Sequence, residues 1–108
     1  EYIGAPTVYN TAKAALISFS KSLSHKLAPE IRVNIVAPGN IFFPGGTWDK
    51  KQNADPKSID KMLIEKVPLK RFGSTQEVAN LVLFLSSSKA SFITGGCFVI
   101  DGGQTISF

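Results

Sequence analysis

The sequence predicts an α/β domain in which helices cover parallel strands. Three features lead to this prediction: a long amphipathic helix pattern near the start, two short apolar segments far apart in the chain, and two further helix patterns between them. Apolar segments without alternation are typical of strands buried on both faces, which need helices on each side. Two strands do not make such a sheet. We therefore expect it to be completed by a missing N-terminal segment, which we favour, or by another copy of the chain.

The first helix is predicted over residues 7–27. Pro29 follows it and cannot continue it. His25 falls on the polar side, and we interpret it as a solvated surface residue because no partner for metal binding or nucleophile activation lies near it in sequence. The apolar positions recur at helical intervals and form one stripe: Val8, Ala12, Leu16, Phe19, Leu23 and Leu27.

Two strands are predicted. The first lies at 33–36, in the β-branched segment IRVNIVAPG, and stops at Pro38 and Gly39. The second lies in CFVIDGG, which is apolar up to Asp101 and a glycine pair. Cys97 opens this strand and is interpreted as a small buried hydrophobe. As the only cysteine, it excludes an intrachain disulfide and a cysteine-based metal site.

Two helices are predicted between the strands, after a loop, NIFFPGGTWD, that is rich in aromatic residues and glycine. Asp55 can cap the first helix, with Pro56 in its first turn, and Pro68 ends it. Ser74 and Glu77 form an S-x-x-E capping box that opens the second. The predicted core-facing side chains are Ile59, Met62 and Leu63 in the first helix and Val78, Leu81, Val82 and Leu85 in the second.

Composition excludes several classes of function. The 108 residues, 44% of them hydrophobic, suffice for one small domain. No apolar run approaches the roughly 20 residues of a membrane span, and the start has no secretory signal, so a cytoplasmic protein without a membrane partner is expected. The net charge of +4 comes mostly from lysines interleaved with acidic residues. This pattern is typical of a solvated face, and no nucleic-acid partner is expected.

Tyr9 and Lys13 are the candidate catalytic pair. A phenol is a weak base near neutral pH, because its ordinary pKa is about 10, but a nearby ammonium favours the phenolate. Residues four apart on a helix share a face at roughly 5 to 6 Å between Cβ atoms. Tyr9 is therefore the candidate general acid/base and Lys13 its electrostatic partner. The spacing alone also suits a surface tyrosine packed on a lysine stem.

Four blocks in order give this pair its context: YNTAKAAL, IRVNIVAPG, PLKRFGSTQEVANLVLFLSS and ASFITGGCFVIDGG. Together they resemble the C-terminal part of the short-chain dehydrogenase/reductase family over nearly the whole chain. The resemblance implies a doubly wound, Rossmann-like parallel sheet. Residues 1–108 would be the C-terminal half of a single such domain, which is incomplete in this chain. Residues 42–71 would form its substrate-side loop and helices.

The resemblance also implies a role for each matching residue. Tyr9 matches the tyrosine that exchanges a proton with the carbonyl or hydroxyl oxygen, and Lys13 matches the lysine that holds the nicotinamide ribose. Pro38 and Gly39 match the turn that lets the backbone approach the nicotinamide. Ile41 matches the residue whose main chain contacts the carboxamide. The implied cofactor is NAD or NADP, and no metal site is implied.

Two departures from the family pattern qualify these roles. Family members commonly have a threonine where Phe43 stands, so a hydroxyl contact to the cofactor is lost or is supplied by Thr47. The glycine-rich phosphate loop and the family's catalytic serine and asparagine are expected upstream of Glu1. We therefore expect no catalysis by the 108-residue chain alone.

The expected parent protein is an NAD(P)-dependent oxidoreductase that interconverts a small secondary alcohol and a ketone, acting as a homodimer or homotetramer. The alternatives are a non-catalytic binding or scaffold protein of the same fold, and an isomerase or dehydratase that uses the same pair differently. Phe42, Phe43 and Trp48 form either an apolar lid or core packing. Lys50 and Lys51 suggest, as a hypothesis, an anionic substrate such as a carboxylate, a phosphate or an acyl-carrier conjugate.

Overall fold

The computed structural model describes residues 5–106 of the chain. It contains four α-helices within that range: α1 (Thr7–Leu27), α2 (Thr47–Ala54), α3 (Pro56–Lys66) and α4 (Thr75–Ser86). Its strands are β1 (Ile35–Pro38), β2 (Ile41–Phe42), β3 (Gly73–Ser74) and β4 (Cys97–Ile100). A short 3₁₀ helix at Ser88–Ala90 follows α4.

Both strand pairs are parallel, which confirms the prediction for β1 and β4, whereas the β2–β3 pair was not predicted. β1 pairs with β4 in a register that sets Ile35 opposite Cys97 and Pro38 opposite Ile100, so the two strands end side by side. β2 and β3 form a second, two-residue ladder. The prediction that the strands are buried on both faces is wrong for this chain: β1 is only half-buried, and Val99 in β4 is 56% exposed. The reason is that the helices beside two strands cover only part of either face.

The predicted helix ends follow from local chemistry. α1 ends at Leu27 because Ala28, which precedes Pro29, is extended. The Asp55 side chain accepts a hydrogen bond from the Ser58 backbone N–H at 3.2 Å and caps α3, whose first residue is Pro56. These boundaries agree with the sequence prediction.

The capping box of α4 is also confirmed. Ser74 Oγ accepts from the Glu77 backbone N–H at 3.1 Å, and Glu77 Oε1 accepts from the Ser74 backbone N–H at 3.0 Å.

Helix α2, by contrast, starts inside the segment predicted as a loop. It begins after Gly46, and the Asp49 carboxylate in its first turn accepts from the Gly45 backbone N–H at 2.8 Å.

A small hydrophobic core lies under α2 and α3. Ile59, Leu63 and Val67 are buried, and Trp48, Met62 and Phe72 pack against them. The predicted apolar face of α3 is therefore confirmed. In α4 the prediction is only partly correct, because Leu85 is buried whereas Val82 is 45% exposed. Val82 borders a groove beside β1, where no described side chain fills the remaining space.

The first part of the apolar stripe of α1 faces outward in this chain. Val8 is 81% exposed and Phe19 is 60% exposed, whereas Leu23 and Leu27 are half-buried. Polar groups of α1 face the strands: Ser24 is buried, and Lys21 Nζ donates to the Gly95 carbonyl oxygen at 3.1 Å. His25 is exposed, as predicted.

The prediction of a buried Cys97 is wrong. The residue is exposed, and it borders an open groove that Ile17 and Lys21 of α1 also line. None of the helices within residues 5–106 combines the length and hydrophobicity of a membrane span. The same stretch holds no group of three or more His, Cys, Asp or Glu side chains placed to bind a metal ion.

Candidate functional site

A cleft of about 690 Å³ lies where β1 and β4 end. The carboxyl ends of parallel strands meet at one edge of a sheet, where α/β proteins bind their ligands. Here that edge is closed by the start of α1 on one side and by α2 on the other. The lining residues are Ala5, Pro6, Tyr9, Pro38, Gly39, Asn40, Thr47, Trp48, Lys51, Asp101 and Gln104.

Tyr9 lies on this cleft, and Lys13 lies beside it, one turn further along α1. Tyr9 is on the first turn of α1, lines the cleft, and is 54% exposed. The Lys13 ammonium lies 5.3 Å from the centroid of the Tyr9 ring, as expected for residues one helical turn apart. A phenol therefore borders the cleft with an ammonium close to its ring.

Pro38 and Gly39 form the cleft wall at the end of β1. The Gly39 backbone N–H donates to the Ile100 carbonyl oxygen at 2.9 Å, which ties this turn to β4. A Cβ on Gly39 would lie 2.5 Å from Cβ of Asp101, so only glycine permits this approach. Ile41 is two residues further on and does not line the cleft. It is paired with Gly73 in the β2–β3 ladder.

Asp101 follows β4 and closes the same wall. Its carboxylate accepts hydrogen bonds from the backbone N–H groups of Gly103 and Thr105, at 2.9 and 2.8 Å. Partial burial opposes ionisation, but these bonds, with those from the Thr105 side chain and the Gln104 backbone, hold the pKa of Asp101 below its usual value. The carboxylate is thus a turn-forming anion, turned toward its own backbone.

Helix α2 supplies the opposite wall. Lys51 Nζ lies 4.7 Å from the centroid of the Trp48 ring, and both residues line the cleft. Thr47 lines it as well, whereas Phe43 does not and is 49% exposed. Thr47 therefore gives this wall a hydroxyl-bearing side chain, which Phe43 does not provide.

The structure gathers Tyr9, Pro38 and Gly39 on the cleft, with Lys13 behind Tyr9 and Ile41 beyond the wall. Sequence reasoning missed Asp101 and Gln104 as cleft residues. The signal was available, because both follow a predicted parallel strand, and such strand ends converge. Sequence reasoning also missed the Trp48 and Lys51 wall as a unit, because no helix was predicted over residues 47–54.

Parallel strands, a cleft at their carboxyl ends and a tyrosine–lysine pair on its rim define a class of α/β protein built to bind a ligand at a strand edge. Comparison with known proteins identifies the family. The family model described as enoyl-(acyl carrier protein) reductase matches residues 1–105. The chain therefore belongs to the short-chain dehydrogenase/reductase family, and the α/β, Rossmann-like fold class predicted from the sequence is confirmed.

Three similar proteins illustrate the relationship. Isoepoxydon dehydrogenase of Aspergillus clavatus is 43% identical over 103 residues, which cover 94% of this chain and 39% of that protein. The 3-oxoacyl-[acyl-carrier-protein] reductase of Aquifex aeolicus is 46% identical over 98 residues, which cover 89% of this chain and 37% of that protein. The crystal structure of L-sorbose reductase from Gluconobacter frateurii, complexed with NADPH and L-sorbose, superposes with a TM-score of 0.85 at 32% identity, covering 98% of this chain and 43% of that one. The chain thus spans about two fifths of the length of these relatives.

Proposed function

We propose that the whole protein is an NAD(P)-dependent oxidoreductase that interconverts a secondary alcohol and a ketone. The observation that carries this proposal is the Tyr9–Lys13 pair, with its ammonium 5.3 Å from the phenol ring, on a cleft at the ends of two parallel strands. Membership of a family of oxidoreductases supports the same reaction class.

Tyr9 is the proposed general acid/base. In reduction its hydroxyl gives a proton to the carbonyl oxygen, and in oxidation the phenolate takes the proton from the alcohol. Lys13 stabilises the phenolate through its positive charge. The 54% exposure of Tyr9 leaves its hydroxyl accessible to a substrate that enters the cleft.

The residues of the cleft suit the nicotinamide end of NAD or NADP. Its lining combines hydroxyl and amide groups with an imino-acid ring and an indole, which suits a ribose and an aromatic carboxamide: Tyr9, Asn40, Thr47 and Gln104 beside Pro38 and Trp48. Lys13 would hold the ribose, and the main chain at Pro38, Gly39 and Ile41 would hold the nicotinamide. When bound, the cofactor supplies or accepts the hydride.

We further propose that residues 1–108 form the C-terminal half of one Rossmann-type domain. Residues 42–71 would be its substrate-side segment. Their position supports this, because α2, within that segment, forms the cleft wall opposite the β1 turn. The remainder of the cofactor site would come from the part of the relatives that this chain does not match.

A homodimer or homotetramer is also proposed. Exposed apolar side chains support it: Val8 and Phe19 on α1, Val99 in β4, which is 56% exposed, and Phe92 before β4, which is 101% exposed. Apolar surfaces of this kind are typical of protein interfaces. Light scattering on the full-length protein would give its mass, and a monomer would contradict the proposal.

The reaction is tested with the full-length protein, NADH or NADPH, and a panel of ketones. Tyr9→Phe removes the hydroxyl alone and should lower kcat by about 10²-fold or more. Thr11→Val is the matched control, because it removes from the same helix a hydroxyl that donates to the Thr7 carbonyl oxygen at 2.9 Å and that does not line the cleft. Full turnover by Tyr9→Phe would contradict the assigned mechanism.

A further inference from the structure

Lys51 places a positive charge on the cleft that Tyr9 also lines. Its ammonium lies 4.7 Å from the centroid of the Trp48 ring. A cation over the face of an indole is attracted by the ring quadrupole, which restrains a side chain that would otherwise be mobile. The cleft therefore carries a positioned cation on the wall opposite the β1 turn.

The indole that holds Lys51 is itself fixed by the core. The rings of Trp48 and Phe72 lie 5.3 Å apart, centroid to centroid, and both pack against the buried cluster of Ile59, Leu63 and Val67. One face of Trp48 thus belongs to the core, while the residue also borders the cleft. A ligand that contacts Lys51 therefore contacts a cation whose neighbouring indole is packed against the core.

No described carboxylate neutralises this cation. Across residues 5–106, the ion pairs within 4.0 Å are Lys61–Glu65 and Arg71–Glu77. Asp49, two residues before Lys51, accepts from the Gly45 backbone N–H and from Asn53 Nδ2, at 2.8 and 3.3 Å. Asp101, on the same cleft, is bonded to its own turn.

We propose that Lys51 determines substrate specificity by binding an anionic group of the ketone, a carboxylate or a phosphate, whose carbonyl lies at Tyr9. The inference rests on the proposed function, since it names the substrate class of the same site. It also separates two adjacent lysines that sequence alone leaves equivalent: Lys51 lines the cleft and Lys50 does not. Lys50 is therefore a built-in control for general surface charge.

The test compares matched ketones with the full-length protein. Levulinate and its methyl ester share the same ketone and carbon chain, and esterification removes the charge of the carboxyl end while adding one methyl group. Dihydroxyacetone phosphate and dihydroxyacetone form the phosphate arm. Lys51→Gln should raise KM for an anionic ketone on the order of tenfold, the effect of one charged hydrogen bond, and leave KM for its neutral partner unchanged. Lys51→Arg should restore the preference, and Lys50→Gln should change neither value.

The results of this test decide whether Lys51 binds a phosphate or a carboxylate, and they include two that would overturn the inference. An effect on dihydroxyacetone phosphate alone assigns the site to phosphate, and an effect on levulinate alone assigns it to carboxylate. Equal changes in KM for charged and neutral ketones, or equal effects of Lys50→Gln and Lys51→Gln, would overturn the inference.

A binding measurement makes the test independent of turnover. Calorimetry should show that Lys51→Gln weakens binding of levulinate or dihydroxyacetone phosphate on the order of tenfold relative to the wild type. If this loss occurs in a protein that reduces no ketone, the proposed reaction fails and the anion site stands. If neutral ketones are reduced but neither anion binds through Lys51, the anion site fails and the reaction stands.

Discussion

Gly39 and Asp101 lie so close that a methyl group cannot fit between them. A Cβ built on Gly39 would be 2.5 Å from Cβ and 2.9 Å from Cα of Asp101. The contact joins the residues that follow β1 and β4, and both residues line the cleft that contains Tyr9. The geometry of this wall therefore depends on the absence of a side chain at position 39.

We expect Gly39→Ala to destabilise the protein and to distort the cleft. Overpacking a tight contact costs about 1 to 3 kcal/mol, because the backbone must move when the obstacle is main chain. Denaturant unfolding of the full-length protein measures the change. Gly46→Ala is the control: its new methyl would meet only the ring of Phe43, an exposed side chain that can rotate away. Equal decreases in the free energy of unfolding of the two variants would contradict the conclusion that the wall depends on the absence of a side chain at position 39.

We expect the protein to lose stability in acid because of the ion pair between Arg71 and Glu77. Arg71 Nη1 and Nη2 donate to the two carboxylate oxygens of Glu77 at 2.8 and 2.9 Å. These bonds, with that from the Ser74 backbone N–H, lower the pKa of Glu77 from 4.5 to about 2. A carboxylate whose pKa is lowered by folding stabilises the protein above its unfolded pKa. That stabilisation should be lost as the pH falls from 4.5 to about 2.

The measurement is the free energy of unfolding of the full-length protein across that pH range. Glu77→Gln should reduce the slope of this free energy against pH, because the neutral amide has no proton to gain. Glu65→Gln serves as control, since Glu65 is an exposed carboxylate 3.9 Å from Lys61. A slope unchanged by Glu77→Gln would refute the role of this pair.

Removal of the Lys13 charge should impair chemistry more than folding. The ammonium lies 5.3 Å from the Tyr9 ring centroid on an exposed face of α1, so Lys13→Met leaves no buried group unpaired. We expect kcat of the full-length protein to fall by about 10²-fold, because the phenolate loses the cation beside its ring. Lys26→Met, at an exposed position of the same helix, should retain activity. Similar kcat values for the two variants would argue against electrostatic support from Lys13.

The parts of the fold predicted from sequence are those fixed by neighbours in the chain. The caps at Asp55 and Ser74 depend on residues three positions away, so a short pattern suffices to find them. The Tyr9–Lys13 contact is of the same kind, since one turn of helix determines it.

What sequence did not predict depends on contacts between distant segments. Asp101 joins the cleft only because β4 pairs with β1, which lies more than 60 residues earlier. Helix α2 has a low apolar content, and it is held by Trp48 packing on α3 rather than by a periodic pattern of its own. Whether the apolar stripe of α1 is exposed likewise depends on which face of that helix packs against the strands.

Trp48 packs against the core and also contacts Lys51 of the proposed anion site, and two substitutions separate these two contributions. Trp48→Ala removes a half-buried ring from the cluster of Ile59, Leu63 and Val67 and should cost about 2 kcal/mol of stability, less than a fully buried tryptophan. Trp48→Phe keeps an aromatic contact with Phe72 but offers Lys51 a smaller ring with a weaker cation interaction. We therefore expect Trp48→Phe to unfold at nearly the wild-type denaturant concentration while it binds levulinate several-fold more weakly. If Trp48→Phe instead lost stability and kept wild-type levulinate affinity, the indole would serve only the core, and Lys51 would not depend on it for its position.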